Sequence, residues 1–186
     1  MSASRPSQPQ IPLALLDLKR RHQAAQEQAA PPAHEADQIA LREVEDKATE
    51  TLRQIIAAHG WTGRSLVGEI GAAAAWWIAQ HATANPEFQQ HALALVEGAV
   101  HVGEATPKQV AYLTDRRRII AGQPQLYGTQ FSYMQTGTPV PYAIDDPDEL
   151  DARRAEMGLE PFDVFEVLIR TLYPPLEPPT AESTAC

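Results

Sequence analysis

Residues 70–82 read Ile-Gly-Ala-Ala-Ala-Ala-Trp-Trp-Ile-Ala-Gln-His-Ala, which is apolar on nearly every side when wound as a helix. A helix of that kind cannot lie on a surface, and other elements must enclose it. This run therefore requires a chain with several packed helices, and the flanking segments supply them. In residues 37–59, Leu41, Val44, Ala48, Leu52, Ile55 and Ile56 recur at three- and four-residue spacing and form one stripe, with Gly60 as the stop. Residues 13–28 predict a helix with Leu15, Leu16 and Leu18 inward, broken by Pro31-Pro32.

The later helices carry their own punctuation. Asn85-Pro86 offers an N-cap and a first helical position, with Gly103 as the stop. Thr106-Pro107-Lys108-Gln109 is a capping-box pattern opening a helix that ends near Gly122. Asp146-Pro147-Asp148-Glu149 repeats that grammar before a helix ending near Gly158, and a last helix follows Pro161 with Phe162, Phe165, Val167 and Leu168 apolar. One segment departs from this pattern. Tyr127, Thr129, Phe131 and Tyr133 alternate at period two, a turn falls at Thr136-Gly137, and an edge strand with Pro139 and Pro141 follows, so residues 125–144 predict a β-hairpin. The expected fold is mainly α: a compact multi-helix domain over residues 13–172 with one β-hairpin. Residues 1–12, rich in Ser, Pro and Gln, and the Pro-rich residues 173–186 are expected to be disordered tails.

Charge and motif content exclude several classes. The formal charge is -9, so a phosphate backbone is repelled and a nucleic-acid partner is not expected. The longest apolar run is far shorter than the roughly 20 residues that span a bilayer, and no signal peptide opens the chain. With a single cysteine, Cys186, this points to a cytoplasmic protein without disulfides. There is no Walker A loop, no Gly-x-Gly-x-x-Gly and no Gly-x-Ser-x-Gly, and none of the six histidines forms a His-x-x-x-His word. Neither a cofactor nor a metal is therefore expected.

Three polar words interrupt the apolar text: Gln80-His81, Thr114-Asp115-Arg116 and Tyr127-Gly128-Thr129-Gln130. Buried polar side chains destabilise a fold unless they are paired, so these are the candidate site. On a helix His81 shares a face with Ile70, Ala74 and Trp77. A helix C-terminus favours imidazolium while burial favours the neutral ring, and these opposed effects predict a pKa near neutrality, suited to acid–base work. The alternative is a structural histidine bonded to a carbonyl or carboxylate. Arg116 falls between Tyr112 and Ile120 inside the apolar arc, where its forked donors suit a carboxylate or phosphate. The alternative is an Arg–Asp network that fixes the helix against the hairpin. Arg117 and Arg118 rotate toward solvent. Gly128 implies a bulge that re-aims Tyr127 or Gln130.

The words His59-Gly60-Trp61, Ser65-Leu66-Val67-Gly68, Gln80-His81-Ala82, Leu113-Thr114-Asp115-Arg116 and Tyr127-Gly128-Thr129-Gln130 stand in order along the chain. So do Gln125, Ile144-Asp145-Asp146-Pro147, Arg153-Arg154 and Gly158-Leu159-Glu160-Pro161. As a set they resemble the motifs of a widespread bacterial domain family of unknown function, from about residue 36 to residue 172. The chain has Thr62 and Thr83 where that pattern often has Pro and Asp. The resemblance implies the domain limits and the site positions, adds weight to Arg154, and implies no chemistry.

Two readings follow. In the first, the chain is a small cofactor-independent enzyme acting on a small polar or anionic metabolite or a peptide. His81 is its general acid/base, Asp115 orients His81, and Tyr127 bonds the reacting group. Arg116 anchors negative charge, and Gln80, Gln130, Trp77 and Arg154 bind substrate. In the second, the same residues form a satisfied polar core in a non-catalytic ligand-binding or protein-interaction module. An open cavity shared by His81, Arg116 and Gln130 separates the two.

Overall fold

The computed structural model describes residues 8–30, 34–132 and 138–174. Among these residues it contains seven α-helices and one two-stranded antiparallel hairpin. The helices are α1 (Gln10–Gln28), α2 (Glu35–His59), α3 (Arg64–His81), α4 (Pro86–His101), α5 (Pro107–Ile120), α6 (Leu150–Glu156) and α7 (Phe162–Leu172). The strands are β1 (Phe131–Ser132) and β2 (Val140–Pro141).

The alanine-rich helix is the centre of the packing, as its composition requires. α3 packs against α1, α2, α4 and α5, and Ala74, Ala75, Ile78 and Ala79 lie in the core with Leu15, Leu52, Val96 and Leu113. The enclosure is incomplete along one face, where Ile70 is 70 % exposed and Glu69 and Ala73 are also exposed. α1 begins at Gln10, inside the stretch expected as tail, because Ile11 is buried and Gln8 N–H donates to the Leu66 carbonyl. The first seven residues and residues 175–186, with Cys186, lie outside the described residues.

Local signals hold in most places. In the Thr106–Gln109 capping box, Thr106 Oγ1 accepts from Gln109 N–H and Gln109 Oε1 from Thr106 N–H. Asn85 precedes Pro86 at the start of α4 but makes no side-chain cap. Gln89 is busier: its Nε2 donates to the carbonyls of Ala79 and Gln80, both at 3.1 Å, and so closes the C-terminal end of α3. The expected cap at Asp146 is absent. Asp146 takes a left-handed conformation, φ +43°, before a 3-10 turn (Pro147–Glu149), and Arg153 Nη2 donates to the carbonyls of Asp145 and Asp146. α7 buries Phe165 and leaves Val167 and Leu168 exposed.

The hairpin is much shorter than its alternating pattern predicts. Phe131 pairs with Pro141 and Ser132 with Val140. Tyr133 and the Thr136-Gly137 turn lie outside the described residues. Gln125 makes an isolated backbone bridge to Ile144, and residues 126–130 form a loop instead of a strand, because the backbone N–H groups of Leu126, Tyr127 and Thr129 all donate to the Asp115 carboxylate. Donors committed to a side chain cannot join a strand ladder. Gln125 braces the loop: its Nε2 donates to the carbonyls of Gln130 and Tyr142, and its Oε1 accepts from Gln130 N–H.

Gly128 allows the loop to turn. It sits at φ +65°, and a Cβ there would lie 2.7 and 2.8 Å from ring carbons of Phe162. Gly128→Ala is expected to destabilise the fold by roughly 2–3 kcal/mol, combining a left-handed non-glycine residue with overpacking. A shift in the urea midpoint at unchanged slope measures it.

Candidate functional site

A cavity of about 550 Å³ opens where α3, α5, the hairpin loop and α7 meet. α3 contributes Trp76, Trp77, Gln80 and His81. α5 adds Tyr112, Arg116 and Ile119, and the loop adds Thr129, Gln130 and Phe131. Thr83, Ile120, Tyr142 and Ile169 also line it. His81, Arg116 and Gln130 therefore border one space. Helix spacing explains the α3 set: positions 76, 77, 80 and 81 share one side at three- and four-residue intervals.

The His81 ring is fixed on two sides. Its Nδ1 lies 2.8 Å from the Trp77 carbonyl, so Nδ1 carries a proton and donates, leaving Nε2 as the acceptor in the neutral ring. Trp77 stacks on His81, with centroids 3.9 Å apart. Burial pushes the His81 pKa down to about 4; the Trp77 carbonyl opposes this, and the positive charges of Arg116 and Lys19 lower it further. The expectation of a pKa near neutrality is corrected: desolvation outweighs the favourable helix end. His81 is neutral at physiological pH.

His22 is the residue that sequence reasoning missed. It is buried in α1, edge-on to both Trp77 (4.6 Å) and His81 (5.3 Å), and its Nε2 lies 2.9 Å from Glu45 Oε1 in α2. Nothing local marks it, because its partner lies on another helix. Trp76, Tyr112, Phe131 and Tyr142 supply the aromatic walls, and no polar word in the sequence marks them.

Asp115 and Arg116 are adjacent in sequence and separate in function. Asp115 is wholly buried, and its Oδ1 accepts from Leu126 N–H at 2.7 Å and Tyr127 N–H at 3.1 Å. Its Oδ2 accepts from Thr129 N–H at 3.0 Å and the Thr129 hydroxyl at 2.9 Å. Burial raises its pKa, and these hydrogen bonds oppose the rise. The carboxylate thus holds the loop, and among the described residues no hydrogen bond joins it to His81. Arg116 is half-buried at the cavity and charges its wall. Arg118 does not run free into solvent: it donates to the Pro124 carbonyl and to Asp145 Oδ2 at 3.0 Å.

Tyr127 and Arg154 fall outside the cavity wall. Burial raises the Tyr127 phenol above its ordinary range, so it remains protonated. Arg154 is 0 % exposed; its Nε donates to the Glu160 carbonyl and its Nη1 to the Tyr127 carbonyl. Its guanidinium lies 5.0 Å from the Phe165 ring centroid and 5.6 Å from that of Phe162. Arg154 clamps the loop to α6 and α7. Among the described residues no three His, Cys, Asp or Glu side chains gather as a metal site. No helix is long and apolar enough to cross a membrane.

The fold and site define a mainly helical domain that carries an aromatic-walled cavity bordered by Arg116 and a neutral histidine. The chain matches the family of unknown function DUF6624 over residues 10–174, and it belongs to that family. No curated protein and no solved structure matches it.

Proposed function

We propose that this cavity binds a small anionic metabolite at Arg116, and that His81 acts on it as general base without a cofactor. The observation that carries the reading is the shared cavity: His81, with Nδ1 committed to Trp77, borders the same space as Arg116 and Gln130. His81 is a weak base in the free protein. A bound carboxylate or phosphate would offset the Arg116 charge and favour imidazolium, so the substrate itself would strengthen the base. Gln80, Gln130 and Trp77 line the pocket for the rest of the molecule. Asp115 and Arg154 act on the loop that carries Thr129 and Gln130 and serve as positioning residues. A bacterial, cytoplasmic setting fits the motif resemblance and the lone cysteine.

A panel of small carboxylates and phosphates, read by thermal melting and by NMR of the recovered compound, tests the proposal. A ligand that stabilises the chain should also be converted. His81→Ala should keep its binding and lower turnover by about 100-fold or more, the usual share of a general base. Conversion undiminished in His81→Ala would overturn the catalytic role. The second reading, a binding or interaction module, draws on Asp115 being committed to the loop and not to His81. It predicts a stabilising ligand recovered unchanged.

A further inference from the structure

α7 carries apolar side chains on two faces, and the domain uses one of them. Phe165 is buried, with its ring edge-on to those of Tyr112 and Phe131. The other face presents Val164, Val167, Leu168 and Leu172, which are 54 %, 65 %, 50 % and 60 % exposed. With Thr171 they follow the three- and four-residue spacing of a single stripe, and no charged residue interrupts it. A surface helix ordinarily turns charged and polar groups to solvent. The four apolar side chains expose roughly 400 Å² together, the size of the largest patch on a typical monomer. That is also near the apolar share of one side of a standard interface of about 800 Å² per partner.

The charges beside the stripe select its occupant. Asp163 and Arg170 are two turns apart, so both lie on the same edge of the stripe, on either side of Val167 along the helix. Both are exposed. Asp163 stands in the first turn, where its Oδ1 accepts from Val164 N–H. Arg170 stands in the last turn, where its Nη2 donates to Glu166 Oε1 at 2.9 Å. Two such helices laid side by side in opposite directions bring Asp163 of each against Arg170 of the other. The same register sets Val164 against Val167 of the second copy, and Leu168 against its own counterpart. The helix dipoles then also run in opposite directions. A parallel pair would instead set like charges together. The stripe is therefore complementary to itself, as a two-fold interface requires.

We infer that α7 pairs in antiparallel fashion with α7 of a second copy of this chain and makes a two-fold dimer. Residues 175–186, which follow α7 and lie outside the described residues, offer one large apolar side chain, Leu176, too little to match the stripe. None of the stripe residues lines the cavity, so the inference stands apart from the chemistry proposed there.

Sedimentation equilibrium of the full chain tests it, at about 150 mM salt, where a Debye length of about 8 Å screens the formal charge of -9. The parent should be a dimer that dissociates in the micromolar range. Leu168→Glu should be a monomer where the parent is a dimer, with the helical circular dichroism of the parent. Arg170→Glu and Asp163→Lys should each weaken the dimer at least about fivefold, because like charges then face each other across the pair. An equimolar mixture of these two variants should recover the affinity of the parent, since the acidic edge of one meets the basic edge of the other. Both lie at exposed positions and decide the matter if Leu168→Glu does not fold. A parent that is monomeric at about 200 µM overturns the inference, whether other residues of the chain cover the stripe or a different protein takes it. A dimer unaffected by Leu168→Glu uses another face and overturns it equally. So does a mixture that associates no better than its components.

Discussion

Asp115→Ala should lower stability by about 3–5 kcal/mol, as expected when a buried charged acceptor is removed from its donors. Three backbone N–H groups, of Leu126, Tyr127 and Thr129, and the Thr129 hydroxyl would lose their acceptor at once. Against a typical total of about 5–15 kcal/mol, that loss is large. Asp115→Asn should give little rescue, because one of its two positions becomes a donor facing donors. Urea unfolding measures the loss, and amide exchange at Leu126, Tyr127 and Thr129 locates it. The cavity should fail with the loop, since Thr129 and Gln130 form part of its wall. An Ala variant as stable as the parent, with those amides still protected, would remove Asp115 from the account.

Arg154→Ala is the second large effect, also about 3–5 kcal/mol, from stranded carbonyls and an emptied volume. The carbonyls of Tyr127 and Glu160 would lose their donors, and the rings of Phe162 and Phe165 would lose the guanidinium packed on them. Arg154→Lys should recover little, because a single ammonium cannot reproduce the two bonds of the planar fork. If Arg154 were instead a surface ligand for substrate, both variants would melt with the parent and lose only binding.

These two residues show which parts of the chain are readable. The Leu41 to Ile56 stripe and the Thr106–Gln109 capping box are local patterns, and both elements stand where the pattern puts them. The convergence of Gln80-His81, Arg116 and Gln130 on one cavity follows from the cost of burying polar groups, which is also visible in sequence. The partners are not visible. Asp115 and Arg154 bond backbone N–H and C=O groups, which every residue carries, so no residue type advertises them. For the same reason the period-two pattern at Tyr127, Thr129 and Phe131 misleads: it describes side chains, while the loop is decided by backbone donors drawn to Asp115. His22 needs Glu45 from another helix. Gly63, just before α3, is needed for another nonlocal reason: Glu104 packs where its Cβ would stand and accepts from Ser65 N–H.

The His81 acidity follows from the same nonlocal burial, and it has a pH signature. A folded pKa of about 4 lies below the ordinary 6.5, so between those values the unfolded chain binds the proton more readily. Stability from this group is complete above about pH 6.5 and is lost as pH falls toward 4. At about 1.4 kcal/mol per unit the loss reaches roughly 3 kcal/mol. The raised Asp115 pKa acts in the opposite direction at the acid end.

The most direct test of the central claim is an NMR pH titration of the His81 ring, with and without a bound anion from the stabilising panel. The claim is that His81 is a neutral, half-buried base sharing a cavity with Arg116. It predicts a ring that stays neutral down to about pH 4 in the free protein, protonated at Nδ1. It also predicts a pKa that rises when the anion binds and does not rise in Arg116→Gln. A His81 that titrates near 6.5 in the free protein, with the same value when the anion is bound, would contradict it.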